Sequence, residues 1–283
     1  MDYLKVLPQY LVPQHALSRI VYRITRCEWK LLKNFLIKSF IAWFKVDMSL
    51  AKQPDATAFK HFNDFFTREL RPEARPGIAD LNTIISPVDG SISQTGKINS
   101  GKIFQAKGRT YELEELLAKD YLAANFKDGN FATLYLAPRD YHRIHMPLDG
   151  KLVKMTYVPG RLFAVNCHTV KIVDRVFARN ERVISYFETE IGIMALIMVG
   201  AINVGSMETV WAGEITPAKK RTITNTDYKE QKIQLKRGEE MGRFNMGSTV
   251  IVLFGKNCMQ WVPEIQADKF ITMGMPMGRV ENR

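Results

Sequence analysis

The sequence predicts an α+β protein, with a β-rich core of barrel or sandwich type and an amphipathic helical appendage at its N-terminus. Two observations support this fold class. Apolar residues recur at helical spacing in the first 50 residues, whereas the sequence from Ile84 onward consists of short apolar runs separated by Gly and Pro turns. With 283 residues, 46% of them hydrophobic, the chain is long enough to bury a substantial core.

Two N-terminal segments have the pattern of amphipathic helices. In the first, apolar residues follow the i, i+3, i+4, i+7 rule and arginines occupy the opposite face. These residues are Leu17, Ile20, Val21 and Ile24 against Arg19, Arg23 and Arg26. The second segment runs from about Glu28 to Lys45 and has an apolar face wider than one packing seam requires. Docking on the core as a helical hairpin and contact with a membrane both remain open for these helices.

The remainder of the chain predicts strands with little helix. A short aromatic helix is expected from Phe59 to Phe66, and another helix from Leu113 to Leu122. The expected strands are Phe131–Leu136, Lys151–Val158, Arg182–Phe187, Ile193–Val199, Val204–Trp211 and Val250–Phe254. The third and fourth of these read as a hairpin around residues 190–192. The charge-free stretch from Ile191 to Met207 is too short and too rich in Gly for a membrane span, and predicts two buried strands.

The formal net charge of +11 calls for an acidic partner, which is a nucleic acid, an acidic small molecule or an anionic membrane surface. Basic residues are mixed with large aromatic residues in the first 50 positions, and this mixture favours the membrane surface. No secretory signal is visible, so the protein is expected to lie on a membrane at most. Three cysteines without paired spacing argue against a disulfide framework or a zinc site.

Three polar segments lie in turns between apolar strands, where binding residues are usually found. They are Ser86–Gly90, Pro138–Pro147 and Met246–Thr249. Taken singly, Asp89 is most simply a turn residue, and the pair Gly247-Ser248 is most simply a tight turn into a strand. His142 and His145 are a stronger signal because the chain has only five histidines, and the flanking arginines argue against a metal between them.

These turns together contain the residue types of a nucleophilic site. A serine needs a base in order to be nucleophilic, and that base needs a carboxylate to orient it. Asp89, His145 and Ser248 are one candidate of each type. Their spacing in the sequence does not establish that they meet in space.

Eight separated blocks of the chain carry a family resemblance. They are Phe62–Arg68, Pro87–Gly90, Pro138–Pro147, Tyr157–Gly160, Phe177–Arg182, Val204–Gly213, Glu240–Phe244 and Gly247–Thr249. In this order they resemble the phosphatidylserine decarboxylases of the bacterial membrane-associated, pyruvoyl-dependent type, over nearly the whole chain. Met246 stands where Leu is commoner, and Ala164 stands where a serine often follows Leu-Phe. Neither departure removes a group that the chemistry requires.

The resemblance implies a self-processing precursor. Ser248 Oγ would attack the carbonyl carbon of Gly247, with His145 as the base and Asp89 as the residue that orients it. The products would be a β chain of residues 1–247 and an α chain of residues 248–283. The first residue of the α chain would be a covalent pyruvoyl group derived from Ser248.

The implied activity is decarboxylation of phosphatidylserine to phosphatidylethanolamine, through a Schiff base between the pyruvoyl group and the amine of the substrate. His142 is the candidate proton donor in this step, with His145 as the alternative. The pyruvoyl group is the only cofactor expected, without pyridoxal phosphate and without a metal.

The resemblance also implies an organisation and a location. Residues 1–60 would form a helical membrane-association region, and residues 61–283 the catalytic domain. The expected location is peripheral, on the cytoplasmic face of the cell (inner) membrane. The expected partners are an anionic phospholipid membrane with phosphatidylserine, the α chain with the β chain, and a second αβ unit in a homodimer, but no nucleic acid.

Two alternatives belong to other functional classes. A pyruvoyl-dependent decarboxylase of a soluble amino acid or of S-adenosylmethionine shares the self-processing chemistry, but it gives the N-terminal helices no purpose. A non-enzymatic adaptor for membranes or nucleic acid accounts for the charge, but it leaves Asp89, His145 and Ser248 without a role.

Overall fold

The computed structural model describes residues 6–75, 80–202, 206–218 and 221–281. The α-helices in these ranges are α1 (Pro8–Leu11), α2 (Gln14–Thr25), α3 (Lys30–Phe44), α4 (Phe62–Phe66), α5 (Leu113–Leu116), α6 (Cys167–Ile172) and α7 (Val176–Arg179). Short 3-10 helices cover Met48–Leu50, Pro72–Ala74, Tyr121–Phe126 and Lys229–Gln231.

The strands of the first half of the chain are β1 (Thr83–Ile85), β2 (Gly90–Lys97), β3 (Lys102–Ala106), β4 (Arg109–Glu112), β5 (Asn130–Tyr135), β6 (Arg143–His145) and β7 (Gly150–Val158). Those of the second half are β8 (Arg182–Thr189), β9 (Gly192–Val199), β10 (Ser206–Thr209), β11 (Gly213–Glu214), β12 (Thr224–Asp227), β13 (Gln234–Leu235), β14 (Glu240–Asn245), β15 (Thr249–Phe254), β16 (Met259–Trp261), β17 (Phe270–Ile271) and β18 (Pro276–Val280).

A nine-stranded antiparallel sheet forms the centre of the molecule. Its order is β12-β7-β8-β9-β15-β5-β2-β17, and β13 also pairs with β7. Strand β15 lies between β9 and β5, and each of its six residues is buried. A continuous apolar run is expected of a strand that is covered on both faces, and the sequence predicts this strand for that reason.

Three smaller sheets complete the β structure. Their orders are β11-β10-β14-β6, β1-β18-β16 and β3-β4. The predicted α+β class with its N-terminal helices is confirmed. Across the described ranges, the end strands β12 and β17 of the large sheet do not pair with each other, so the sheet is open and no closed barrel is formed.

The two long N-terminal helices correspond to α2 and α3. A small core of its own lies at this end of the chain, built from α3, α4 and the residues between them. Its buried members are Ile37, Val46, Phe59, Phe62, Phe65 and Phe66. Met246, next to the predicted cleavage site, packs against this cluster. The helical region and the predicted site are therefore in direct contact.

The helix expected from Leu113 to Leu122 is shorter than predicted. Helix α5 ends after Leu116 because Ala118 and Lys119 are in the left-handed region, with φ of +55° and +57°. The N–H of Lys119 donates to the carbonyl of Glu114, and the N–H of Ala118 to that of Glu115. This pair of bonds satisfies the last carbonyls of the helix and closes it.

The hairpin predicted around residues 190–192 is confirmed as β8 and β9, which pair along their whole length. The strand predicted from Val204 to Trp211 is observed as β10, and its first two residues lie outside the described ranges. None of the helices that the structure describes is both long and apolar enough to cross a membrane.

Candidate active site

Ser248 lies in the connection between β14 and β15. Met246, at the start of this connection, has a φ of +91°, a conformation that residues with a side chain rarely adopt. Ser248 is buried, and its carbonyl oxygen accepts a hydrogen bond from the N–H of Leu136 at 2.8 Å. Its Oγ has no hydrogen-bond partner among the described residues. The hydroxyl is therefore shielded from water and uncommitted.

The ring of His142 leaves no room for a side chain at residue 247. A Cβ built on Gly247 would lie 2.0 Å from both Cε1 and Nδ1 of His142, far inside van der Waals contact. Glycine is therefore required here by sterics. The lack of a Cβ also leaves the Gly247 carbonyl carbon open to attack, as the Gly-Ser motif predicts.

His142 is fully buried and held on two sides. Its ring stacks on Phe66, with centroids 4.1 Å apart and planes inclined by 19°. Its Nε2 lies 3.4 Å from the carbonyl oxygen of Pro138, which can only accept, so Nε2 carries the proton. Nδ1 then carries a lone pair, and it has no partner in the part of the chain that the structure describes.

The surroundings of His142 keep its imidazole neutral. Burial lowers its pKa to about 3, and the nearby Arg68 guanidinium adds to this effect. At neutral pH the group facing Gly247 is therefore an uncharged base. It can take up a proton when the charge of its surroundings changes.

His145 is buried and fixed by two hydrogen bonds. Its Nδ1 donates to the carbonyl of Gly238 at 2.7 Å, and its Nε2 accepts from the hydroxyl of Tyr141 at 3.0 Å. Burial lowers the pKa of His145, while the bond to Gly238 acts in the opposite direction. Nε2 thus carries the lone pair, which is the state that a general base needs.

The carboxylate of Asp89 is held by a basic side chain. Both of its oxygens pair with the guanidinium of Arg75, through Nε at 3.0 Å and through Nη2. Oδ1 also accepts the N–H of Met273 at 2.8 Å. A two-point arginine contact of this kind fixes the plane of a carboxylate.

The register of the large sheet places Ser248 and Asp89 at the same end of it. Thr249 pairs with Tyr135 on β5, and Tyr135 pairs on its other side with Ser91 on β2. Because Ser248 and Asp89 come shortly before these paired residues, their backbones are about 10 Å apart, which is two strand spacings.

The three residues of the predicted triad lie near this end of the large sheet without direct bonds, and His145 reaches it from β6 of a smaller sheet. The N–H of His145 donates to the carbonyl of Pro87 at 2.9 Å, which places His145 beside the turn that holds Asp89. The charge of Asp89 acts to raise the His145 pKa, as one of the smaller influences on it. No hydrogen bond in the described ranges joins any two of Asp89, His145 and Ser248.

A cavity of about 230 Å³ opens at Ser248, and its wall contains His142 rather than His145. Most of the lining is apolar, and it includes Phe40 and Phe44 of α3 together with Phe66. A cavity of this size suits a small headgroup, because drug-sized ligands occupy roughly 300 Å³ or more. The predicted membrane helix is thus also a wall of the predicted site.

Several residues around the site carry roles that the sequence reasoning missed. Phe66 stacks on His142, Tyr141 donates to His145, and Arg75 pairs with Asp89. Arg68 is buried, and its Nε and Nη1 have no hydrogen-bond partner within the described residues. Phe66 and Arg68 lie in the block Phe62–Arg68 and Tyr141 in the block Pro138–Pro147, so the resemblance pointed to three of the four without assigning them roles.

A metal site at His142 and His145 would need a third ligand, for which the sequence offers Asp140, and the flanking arginines argue against it. Among the described residues, no group of three His, Cys, Asp or Glu side chains is arranged to hold a metal ion. Asp140, the third ligand that such a site would need, accepts a hydrogen bond from the N–H of Ala137 at 2.7 Å. Burial raises the pKa of Asp140 to about 6.

Comparisons with known proteins show which family the chain resembles. A family model described as phosphatidylserine decarboxylase matches residues 62–279, and a second model, described as PSD, matches residues 4–45. Relatives named phosphatidylserine decarboxylase proenzyme include one from Psychromonas ingrahamii, 50% identical over 275 residues, which are 97% of this chain and 96% of the relative. One from Pseudomonas fluorescens is 49% identical and covers 96% of each chain. One from Alkalilimnicola ehrlichii is 54% identical over 89% of this chain and 88% of the relative.

Proposed function

Because the chain belongs to the phosphatidylserine decarboxylase family, we propose that it decarboxylates phosphatidylserine to phosphatidylethanolamine with a pyruvoyl group generated from its own Ser248. The observation that carries the proposal is the buried Oγ of Ser248, which has no hydrogen-bond partner among the described residues and lies next to a glycine where only a hydrogen fits. The word proenzyme in the names of the relatives supports a precursor that is processed.

In the first stage Ser248 Oγ attacks the carbonyl carbon of Gly247. A C–O bond forms, the C–N bond between the two residues breaks, and the hydroxyl proton passes to the released amine of residue 248. Loss of the Cα proton then expels the Gly247 carboxylate and leaves a carbon–carbon double bond on residue 248. Hydrolysis of this residue releases ammonia and leaves a pyruvoyl group.

The proton transfers of this stage fall to the predicted triad. His145 holds a lone pair on Nε2, and the charge of Asp89 favours its protonated form. Its Nε2 is occupied by the Tyr141 hydroxyl, so His145 acts as the base once this bond gives way to one with Ser248. The proposal reserves His142 for the second stage, because its Nδ1 lies against Gly247 and has no partner among the residues that the structure describes.

In the second stage a pyruvoyl group at residue 248 would supply a carbonyl that binds the substrate amine and an acceptor for the electrons of the bond to the departing carbon dioxide. In this stage the role of His142 is to transfer one proton. Its neutral Nδ1 takes a proton from the substrate ammonium, which frees the amine, and returns a proton to the carbon that has lost its carboxylate. The phosphate and carboxylate of the substrate favour the protonated imidazole during this interval.

Cleavage would leave the two chains joined by strand pairing. The α chain of residues 248–283 contains β15, between β9 and β5, as well as β17 and β18, which pair with β2 and β1. Three strands of this 36-residue chain thus make four pairings with the β chain. The division into residues 1–60 and 61–283, and the homodimer of αβ units, belong to the same proposal.

The central test is the mass of the purified protein. The wild-type chain should give two pieces on a denaturing gel, the smaller blocked at its N-terminus, and Ser248→Ala should give one. Ser185→Ala is the matched control, because Ser185 is equally buried on β8 and its Oγ is likewise without a partner in the described residues. A wild-type chain that stays intact, or a Ser248→Ala chain that splits, contradicts the proposal.

The substrate is tested by release of carbon dioxide. Vesicles that contain phosphatidylserine should support turnover, whereas free serine should not. Equal turnover of free serine would favour the alternative decarboxylase of a soluble amino acid.

Peripheral membrane association is supported by the outer face of α3. Phe35 and Trp43 are 67% and 83% exposed, while Phe40 and Phe44 of the same helix line the cavity. A helix that offers aromatic side chains to a bilayer and encloses the site with its other face would admit a lipid headgroup without extracting the lipid. Basic residues of the N-terminal region would favour the anionic, cytoplasmic leaflet of the inner membrane.

Sedimentation with vesicles tests this association. Phe35→Ser with Trp43→Ser should reduce binding to phosphatidylglycerol vesicles and leave self-cleavage intact. Phe104→Ser, an exposed phenylalanine on β3, is the control. Unchanged binding of the double variant would contradict a membrane role for α3.

A further inference from the structure

The side chain of Asn245, the last residue of β14, is clamped at both ends. It is buried, and its Oδ1 accepts a hydrogen bond from Nδ2 of Asn63 at 3.0 Å. Its Nδ2 donates to Oγ of Ser206 at 2.6 Å. Asn63 lies on α4 and Ser206 on β10, so the amide of Asn245 joins the N-terminal helical region to the small sheet that contains β10. Fixing both ends of a buried amide leaves one orientation of the side chain.

A second layer of bonds fixes Ser206 in turn. Its hydroxyl donates to Glu214 Oε1 at 2.6 Å, and Glu214 Oε2 accepts from the hydroxyl of Tyr22 at 2.7 Å. Arg26 forms an ion pair with the same carboxylate. Helix α2 and strand β11 therefore support the contact that Asn245 makes. The chain of bonds ends two residues before the scissile peptide.

The backbone that follows Asn245 is in an unfavourable conformation. Met246 has a φ of +91°, where the Cβ of a methionine crowds its own backbone. On the far side of the junction, the Ser248 carbonyl is held by the N–H of Leu136. The strained residue and Gly247 thus lie between two fixed points. A conformation of this kind persists only where its surroundings enforce it.

We infer that Asn245 is a positioning residue for self-cleavage: its clamped amide holds Met246 in the left-handed region and so fixes the path of the chain through Gly247. This inference rests on the proposed cleavage between Gly247 and Ser248. Asn245 touches neither reacting atom. It acts through the backbone of Met246, which sets where the Gly247 carbonyl lies relative to Ser248 Oγ.

The test measures the rate of cleavage in freshly synthesised chain, followed on denaturing gels. Asn245→Ala should slow cleavage about 10- to 100-fold, because small displacements of reacting groups have effects of this size. Asn130→Ala is the matched control. Asn130 is buried on β5 of the nine-stranded sheet, at the end away from Ser248, and donates to the carbonyl of Met259, so its loss should leave the cleavage rate unchanged.

Hydroxylamine separates the two steps of cleavage, because it attacks an ester but not a peptide bond. A positioning role in the first step predicts that little ester forms in Asn245→Ala, so hydroxylamine should not restore the split. Splitting of this variant at the wild-type rate, with or without hydroxylamine, overturns the inference.

Asn245→Asp keeps the shape of the side chain and decides the matter if Asn245→Ala fails to fold. Its ionised carboxylate cannot donate to Ser206, and it lies near Glu208 and Glu214, which accept longer bonds from Asn245. A protonated carboxyl can donate as the amide does. The cleavage rate of Asn245→Asp relative to wild type should therefore rise from about pH 8 to about pH 5.5. A ratio that is near one and independent of pH overturns the inference.

The experiment distinguishes failure of the role inferred for Asn245 from failure of the proposed self-cleavage. If the wild-type chain does not cleave, the proposed function fails and the role of Asn245 with it. If the wild-type chain cleaves and the Asn245 variants cleave equally fast, only the role of Asn245 fails.

Discussion

The imidazole of His142 occupies the space in which any side chain of residue 247 would begin. Phe66 stacks on a face of this ring, and the Cε1 and Nδ1 atoms of the ring lie against Gly247, so the imidazole contacts both an aromatic side chain and the backbone of the junction. The histidine proposed for the second reaction is therefore already in contact with the site of the first.

Gly247→Ala should abolish self-cleavage, or slow it by at least about 100-fold, because the new methyl group forces His142 or the junction out of position. The measurement is the cleavage time course on denaturing gels. Gly255→Ala is the control, since its Cβ would come no closer than 3.3 Å to the carbonyl oxygen of Asn125 at the other end of β15. A Gly247→Ala chain that cleaves at the wild-type rate would show that the contact with His142 is not maintained.

Phe66→Leu should lower the decarboxylation kcat about tenfold, because the ring of His142 loses the surface that fixes its plane. Phe59→Leu removes a comparable ring from the same cluster without touching His142, and it should leave kcat unchanged. The Tm of each variant, measured by thermal unfolding, shows how much stability each substitution costs, so that a loss of kcat caused by lost packing can be recognised. Equal losses of kcat in the two variants would mean that the stack has no specific effect.

The low pKa of His142 predicts a dependence of stability on pH. The folded protein holds this group neutral down to about pH 3, whereas in the unfolded chain it takes up a proton near its ordinary value of 6.5. Between these values the unfolded state binds more protons. The contribution of His142 to the free energy of unfolding is therefore fully present above about pH 6.5 and falls as the pH decreases toward 3.

His142→Gln removes this titration, so the free energy of unfolding of the variant should fall less steeply with acidification than that of wild type. Urea unfolding at several pH values gives the comparison. Asp140 provides the opposite sign, because its raised pKa makes the folded state bind more protons between pH 3.8 and about 6. Asp140→Asn should therefore steepen the fall on acidification, and parallel curves for both variants and wild type would contradict these assignments.

Arg68→Met should shift the acidic limb of the kcat profile toward higher pH. Its guanidinium is buried and lowers the pKa of His142, so its removal lets the imidazole protonate more readily. Arg71→Met, an exposed arginine three residues further along, is the control. A profile that does not move would exclude an influence of Arg68 on the group that transfers the proton.

The elements with strong local signals could be predicted from the sequence, and the pairing of distant segments could not. Helix α2 follows from its apolar spacing, and β15 from an unbroken apolar run. The helix predicted over 113–122 failed because two non-glycine residues, Ala118 and Lys119, adopt the left-handed conformation of a helix end. Neither residue type signals such a turn in sequence.

The candidate residues of the site could be named from the sequence, but their contacts could not. Asp89 and Ser248 come to one end of the large sheet because β2 and β15 flank β5, an order that no local pattern encodes. His145 comes to the same place from β6 of a smaller sheet, through the bond of its N–H to the carbonyl of Pro87. The stack of Phe66 on His142 joins residues 76 positions apart, and the clamp on Asn245 joins it to Asn63. Such contacts are decided by tertiary packing, on which helical or strand periodicity carries no information.

Because β15 lies in the middle of the large sheet, the chain should fold more readily before self-cleavage than after it. In the uncleaved precursor, β15 pairs with β9 and β5 while it is still covalently connected to the rest of the chain. After cleavage between Gly247 and Ser248, unfolding would release a separate fragment of 36 residues. This fragment would have to bind the β chain again in a bimolecular step before β15 could pair. Recovery of the processed enzyme from denaturant should then depend on protein concentration, whereas that of the Ser248→Ala precursor should not. The processed enzyme would therefore refold less readily than its precursor at low protein concentration.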